Sequence, residues 1–214
     1  MIKKILAIII SMFMFSSVYA GETKNPLATF KYWKLNPSYE DVKQKIDAGY
    51  NIHETSKSTK SDSLIYASMM TKDTKIIQLL IDNGANIETR NEHGKTPLMI
   101  TSMTGKNPDI IDVLIKNGAD INAGSYGYNA IHLAAGSNKN PVVIEKLVKY
   151  GADVNKRTFE KKESPLSLAA KYGHEEVFKK LIELEADVYT IDGNGDNLWQ
   201  RMKFQRVYPK DSYI

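Results

Sequence analysis

Apolar residues recur along this chain in short bursts at helical spacing, and the bursts return about every 34 residues. Ile76, Ile77 and Leu80 form one burst. Ile110, Ile111 and Leu114, then Val143, Ile144 and Leu147, then Val177, Leu181 and Ile182 form the next three. Residues three and four apart share one face of a helix, so each burst predicts a short helix with one buried side. An earlier helix in each cycle is predicted from a second phrase. It reads Asp62-Ser63-Leu64-Ile65-Tyr66-Ala67, then Thr96-Pro97-Leu98-Met99-Ile100-Thr101, then Asn129-Ala130-Ile131-His132-Leu133-Ala134, then Ser164-Pro165-Leu166-Ser167-Leu168-Ala169. Thr96 and Ser164 suit a helix cap, with Pro97 and Pro165 at the first helical position, where no amide hydrogen is needed. Ala134, Ala135, Ala169 and Ala170 are small enough to let neighbouring helices approach closely.

A third phrase closes each cycle: Gly49-Tyr50-Asn51-Ile52-His53, Gly84-Ala85-Asn86-Ile87-Glu88, Gly118-Ala119-Asp120-Ile121-Asn122 and Gly151-Ala152-Asp153-Val154-Asn155. A fifth copy, Glu185-Ala186-Asp187-Val188-Tyr189, lacks the glycine, and successive copies start 35, 34, 33 and 34 residues apart. Gly84, Gly118 and Gly151 end the second helices, where a left-handed residue is wanted. Ile87, Ile121 and Val154 are expected to follow as short extended segments tucked into the core. One such helix-turn-helix unit cannot bury its apolar face alone, whereas stacked copies can.

These residues resemble the ankyrin-repeat family over nearly all of positions 26–200. The family's Thr-Pro-Leu-His start survives at Thr96-Pro97-Leu98 and at Ile131-His132. Its helix junction is intact at Gly173-His174-Glu175-Glu176, and its Gly-Ala-Asp-Val-Asn ending at Gly151 to Asn155. The resemblance implies an all-α fold: a solenoid of helix-turn-helix units with protruding inter-repeat turns. It divides the chain into a degenerate N-terminal capping repeat over 21–60, repeats over 61–200 with a partial C-terminal cap, and a tail over 201–214. Trp33 and Trp199 are expected to cover the two ends of the stack.

Residues 1–20 read differently. Lys3 and Lys4 precede an apolar run from Ile5 to Phe15, and Val18-Tyr19-Ala20 follows. A basic start, a short apolar core and small residues one and three before a cut describe a secretory signal, with cleavage between Ala20 and Gly21. The run is shorter than the roughly 20 residues of a spanning helix. Export is expected, to the periplasm or to the medium, with no membrane span left after cleavage; an uncleaved anchor is the alternative.

Composition narrows the chemistry. Apolar residues at 42% and charged residues at 25% exclude collagen-like and wholly disordered chains. Without Lys3 and Lys4 the balance is 27 basic against 25 acidic residues, too even for a nucleic-acid footprint. Cysteine is absent, which excludes disulfides, thiolate metal sites and cysteine nucleophiles. His53, His93, His132 and His174 stand about 40 residues apart at different places in the unit, so no metal site is expected. His132 falls where the family ties adjacent turns; His53 and His93 fall in turns. Asp192-Gly193-Asn194-Gly195-Asp196 resembles the start of a calcium loop, but Asn197 and Lys203 stand where glycine and glutamate are required. The segment fits an inter-repeat turn, with Asp192 and Gly195 in register with Asn91 and Gly94. Phosphate loops, nucleophile elbows and dinucleotide glycine patterns are missing, so neither cofactor nor catalysis is expected.

The resemblance implies a concave face of turns and first helices whose tips are free to vary. On this chain those positions are Glu92, His93, Lys95, Met103 and Thr104, then Ser125, Tyr126 and Tyr128, then Arg157, Phe159 and Glu160, then Lys171 and Tyr172. Exposed aromatics and arginine commonly anchor protein interfaces. The expected function is therefore non-catalytic binding of another protein by a monomer. The partner class stays open between an envelope enzyme, a toxin met by an immunity protein, and a host protein; an unrecognised hydrolase and an inert spacer are the readings from other classes. Intact-mass measurement on material recovered from the periplasm should give a chain starting at Gly21. A chain starting at Met1 in the membrane fraction would instead identify an anchor.

Overall fold

Side-chain oxygens punctuate the fold. Asp62, Thr96, Asn129 and Ser164 occupy the same place in successive cycles, and each accepts a hydrogen bond from the backbone N–H three residues on, at 3.0, 3.3, 3.5 and 3.2 Å. Each such cap is worth about 1 kcal/mol to the helix it opens. The computed structural model describes residues 25–198 apart from Gly105. The expected signal, Trp199 and the tail lie outside the described residues.

A turn of 3-10 helix at Pro26–Ala28 leads into α1 (Phe30–Lys34) and α2 (Tyr39–Asp47). Four pairs follow: α3 (Ser63–Met70) with α4 (Thr74–Asp82), α5 (Pro97–Thr104) with α6 (Asp109–Lys116), α7 (Ala130–Ser137) with α8 (Pro141–Lys149), and α9 (Pro165–Tyr172) with α10 (Glu175–Glu183). First helices stack on first helices and second on second, giving two layers that share one seam. The strands β1 (Gly124–Ser125) and β2 (Tyr128–Asn129) form a two-residue antiparallel hairpin in an otherwise helical fold.

The seam is built from the predicted positions: Ile76, Ile77, Leu80, Ile110, Ile111, Leu114, Val143, Ile144, Leu147, Val177 and Leu181 are all buried. One position shifts. Ile182 is 40% exposed, and Phe178 takes the buried place beside Val177, as Ile144 does beside Val143. First helices bury residues nearly all round, from Leu98 to Ser102 in α5, which is flanked by first helices on two sides and by its own partner on a third, and from Leu166 to Ala170 in α9, which packs against α7 and its own partner α10.

Polar ties run between successive units where apolar contact stops. Asn107 Nδ2 donates to Lys72 O at 2.6 Å and Asn138 Nδ2 to Ser102 O at 2.8 Å. His174 Nδ1 lies 3.1 Å from Ala135 O. Lys146 of α8 reaches back to Asp109 and Asp112 of α6, and Tyr150 donates to Asp112 at 2.8 Å. Burial works to raise the Asp112 pKa, but the Lys146 and Tyr150 donors outweigh it and hold the carboxyl below its usual range. Trp33 is buried in the first unit, where its indole N–H donates to Leu27 O at 2.8 Å.

The closing phrase works through two devices. Gly49, Gly84, Gly118 and Gly151 all have left-handed backbone, with φ of 81°, 88°, 96° and 91°. The residue two places on is Asn or Asp for a second reason. Asn51, Asn86, Asp120, Asp153 and Asp187 each accept the N–H two residues further along, between 2.8 and 3.0 Å. This Asx turn uses the carboxylate or amide as a substitute backbone acceptor. Ile87, Ile121 and Val154 therefore sit inside turns, not on extended segments, and pack half-buried against the core.

Glu185 holds the same left-handed place with φ of 62°. A side chain there crowds its own carbonyl, at about 1 kcal/mol. A Cβ at Gly118 would meet no atom within 4 Å, so substitution there adds backbone strain alone. Denaturant unfolding should therefore show Glu185→Gly stabilised by about 1 kcal/mol and Gly118→Ala destabilised by a similar amount. Equal midpoints for both variants and the parent would contradict the assignment of strain.

Candidate functional site

The turns between units stand in a row, and hydrogen bonds tie each tip to the next. Glu92 N–H donates to Thr59 O at 2.9 Å, Ser125 Oγ to His93 O at 2.7 Å, and Gly193 N–H to Lys161 O at 2.7 Å. Arg90 donates to Gly94 O in its own turn and to Gly124 O in the next, at 2.8 and 3.0 Å. Arg157 repeats the pattern two cycles later, donating to Lys162 O at 2.9 Å and to Ile191 O. Its guanidinium is exposed, yet it spans two turns instead of standing free as expected. The equivalent places of Arg90 and Arg157 in their turns are the sequence signal for this staple.

Within each turn the residue two before the helix cap is left-handed: Lys60, Gly94, Gly127, Lys162 and Gly195. Asp192 Oδ1 accepts from Asn194 and Asp196 N–H at 2.8 and 3.1 Å, as Asn91 Oδ1 does from His93 and Lys95 N–H, both at 3.0 Å. The expected register of these turns is therefore present, and the carboxylate of Asp192 orders its own loop.

The expected site residues divide. Glu92, His93, Tyr126, Phe159, Glu160 and Tyr172 are exposed, Tyr126 at 81%, Phe159 at 77% and Tyr172 at 54%. Tyr126 also has φ of 50°, an uncommon backbone for a bulky side chain, at the first place of the β1–β2 turn. Phe159 backs onto Gly127, where a Cβ would come within 3.0 Å of its own Cβ. The Tyr172 ring lies over Gly136 of the preceding unit, 3.5 Å from where a Cβ would sit. Lys95, Met103, Thr104 and Ser125 are half-buried.

Tyr128 and Lys171 are not free. Tyr128 donates to Glu163 Oε2 at 3.2 Å and Lys171 pairs with Glu163 Oε1 at 2.9 Å, while Glu163 itself is 1% exposed. Burial, then the Glu163 charge, raises the Tyr128 phenol above its ordinary pKa. The Tyr128 ring also meets His132 edge-on, with centroids 5.9 Å apart. A buried carboxylate needs partners, and these two side chains supply them. Sequence spacing placed both at the face but carried no sign of the carboxylate inside it.

His132 is 2% exposed; its Nδ1 accepts from Asn129 N–H at 3.3 Å, which leaves Nε2–H to donate to Lys156 O at 2.9 Å. His132 thus ties one unit to the following turn. The face gains residues that the tip pattern did not mark. Met69 and Gly136 hold the register place of Met103 and Lys171 along α3, α5, α7 and α9, with Met70 beside them and Leu133 half-buried above. Tyr189 and Ile191 add exposed apolar area at the last turn. No group of three or more metal-ligating side chains occurs among the described residues, and no described helix is long and apolar enough to cross a membrane.

The sequence model of a family described as ankyrin repeats (3 copies) matches residues 33–125 and 106–192 of this chain. No curated protein matches it.

Burial lowers the His132 pKa below its ordinary value, so the folded protein holds this imidazole neutral. The unfolded chain binds a proton near pH 6.5, so the contribution is complete above that pH and is lost as pH falls through the folded value. Thermal melts between pH 7 and pH 5 should fall more steeply for the parent chain than for His132→Gln. Parallel curves would show that His132 titrates alike in both states.

Proposed function

We propose that this chain, which belongs to the ankyrin-repeat family, is an exported, non-catalytic module that holds one protein partner against its turn tips and first helices. Members of this family generally mediate protein–protein interaction. The observation that carries the reading is the set of exposed aromatics, Tyr126, Phe159 and Tyr172, on a row of turns already tied together by hydrogen bonds. Aromatic anchors supply large contact area with few rotatable bonds, and a preassembled surface loses little entropy on docking. The left-handed Tyr126 adds weight, since it holds an uncommon backbone conformation while its ring stays 81% exposed. Export rests on the basic, then apolar, then small-residue order of positions 3–20.

The combined substitution Tyr126→Ala, Phe159→Ala and Tyr172→Ala removes the anchors and leaves Tyr128, Arg157 and Lys171 to hold the turns. Affinity capture from an envelope extract should lose its partner at least about tenfold with this variant, while circular dichroism and melting temperature stay unchanged. Undiminished capture would reject this face.

A further inference from the structure

We infer that the partner segment held on this face is acidic: a stretch of polypeptide with carboxylates along one edge and apolar side chains beside them. The inference rests on the interaction reading above and names the chemistry of the partner. It comes from the lower edge of the face, where each first helix passes into its second. Lys72, Lys106 and Lys139 occupy that junction in three consecutive units, 34 and 33 residues apart, and all three are exposed. None of them forms an ion pair among the described residues. The ion pairs of Lys43, Lys146, Lys179 and Lys180 all lie on second helices, on the opposite layer. At residues 71–74, 106–109 and 138–141 the carboxylates are Asp73, whose Oδ1 accepts the Lys75 N–H at 2.9 Å, and Asp109, which pairs with Lys146 at 3.0 Å.

The backbone under these lysines is fixed by the Asn107 and Asn138 bonds to Lys72 O and Ser102 O. Packed helices lie about 10 Å apart, so the three lysines stand on a ladder with rungs near that spacing. At physiological salt this is about one screening length. The lysines therefore repel one another weakly in the free protein, while one extended polyanion meets all three. Carboxylates seven residues apart on a helix recur at about 10.5 Å, the same interval.

Directly above the ladder runs the apolar strip of Met69, Met70, Met103, Leu133 and Tyr172, and Lys106 Nζ sits 3.4 Å from Met70 Sδ. Thioether side chains adapt to varied apolar partners. A nucleic acid would leave this strip uncovered and would meet Glu88, Glu92 and Glu160 at the tips. An amphipathic acidic polypeptide satisfies both edges.

Selection of random displayed peptides on the full chain tests this, run in parallel on Lys72→Glu/Lys106→Glu/Lys139→Glu and on the triple aromatic variant. Enriched peptides should carry net negative charge together with apolar residues. The best of them should bind the lysine variant at least about tenfold more weakly, and the parent chain more weakly as salt rises. The salt series keeps the test decisive even where the lysine variant folds poorly. Enriched peptides that are neutral or basic, or affinity indifferent to both salt and the lysines, would overturn the inference; their loss on the aromatic variant would leave the interaction reading standing. No enrichment on the parent chain would remove both. Tighter binding of a single-stranded oligonucleotide, or of phosphatidylglycerol vesicles, than of any peptide would overturn the acidic-polypeptide assignment.

Discussion

Every pair of helices in this molecule depends on burial shared with the next pair. Described helices run to eight or nine residues from α2 onward, below the roughly 12–15 at which an isolated helix holds in water. Their intrinsic propensity is also modest, since the seam is rich in Ile and Val, whose branched side chains lose rotamer freedom in a helix. What holds them is the seam from Ile76 to Leu181, where each apolar face is covered half by its own partner and half by the neighbouring unit. Stability in such a stack is a sum of unit terms and neighbour terms.

That constraint decides where function is free to reside. Seam residues are committed to packing, and so are the junction amides, the turn arginines, His132 and the Tyr128–Glu163–Lys171 cluster. What remains is a narrow set: the tips Glu92, His93, Tyr126, Phe159 and Glu160, the ring of Tyr172, the methionines of the first helices, and the lysines below them. The residues that stiffen the turns lie immediately beside the residues left over for recognition. Rigidity of the face is thus a by-product of the same bonds that keep the stack in register.

Much of the fold could be read from the sequence because repetition amplifies weak signals. A single Gly-Ala-Asp says little, but five related closing phrases in phase with the cap phrases mark the helix ends, the caps and the turn register of Asp192. The site was less legible. Tyr126, Phe159 and Tyr172, free by the repeat pattern, are exposed. Tyr128, Arg157 and Lys171, equally free by that pattern, are bonded, because their partners, Glu163 and the carbonyls of Lys162 and Ile191, come from neighbouring parts of the turn row that periodicity does not rank. Phe178 was missed for a related reason: hydrophobic spacing alone could not choose between it and Ile182 as the third seam residue of the last pair.

The most direct test asks whether distant units share one folding equilibrium. Ile144 lies in the seam of the third of the four pairs and Trp33 in the first unit. In a Trp199→Phe background, Trp33 fluorescence reports the N-terminal unit while far-UV circular dichroism reports all helices. Ile144→Ala should lower stability by about 2–5 kcal/mol, with both signals moving together to the same lower denaturant midpoint. A Trp33 transition left in place while part of the helical signal melts early would mean that the units stand independently, and the shared seam would no longer account for the fold or the rigid face it carries.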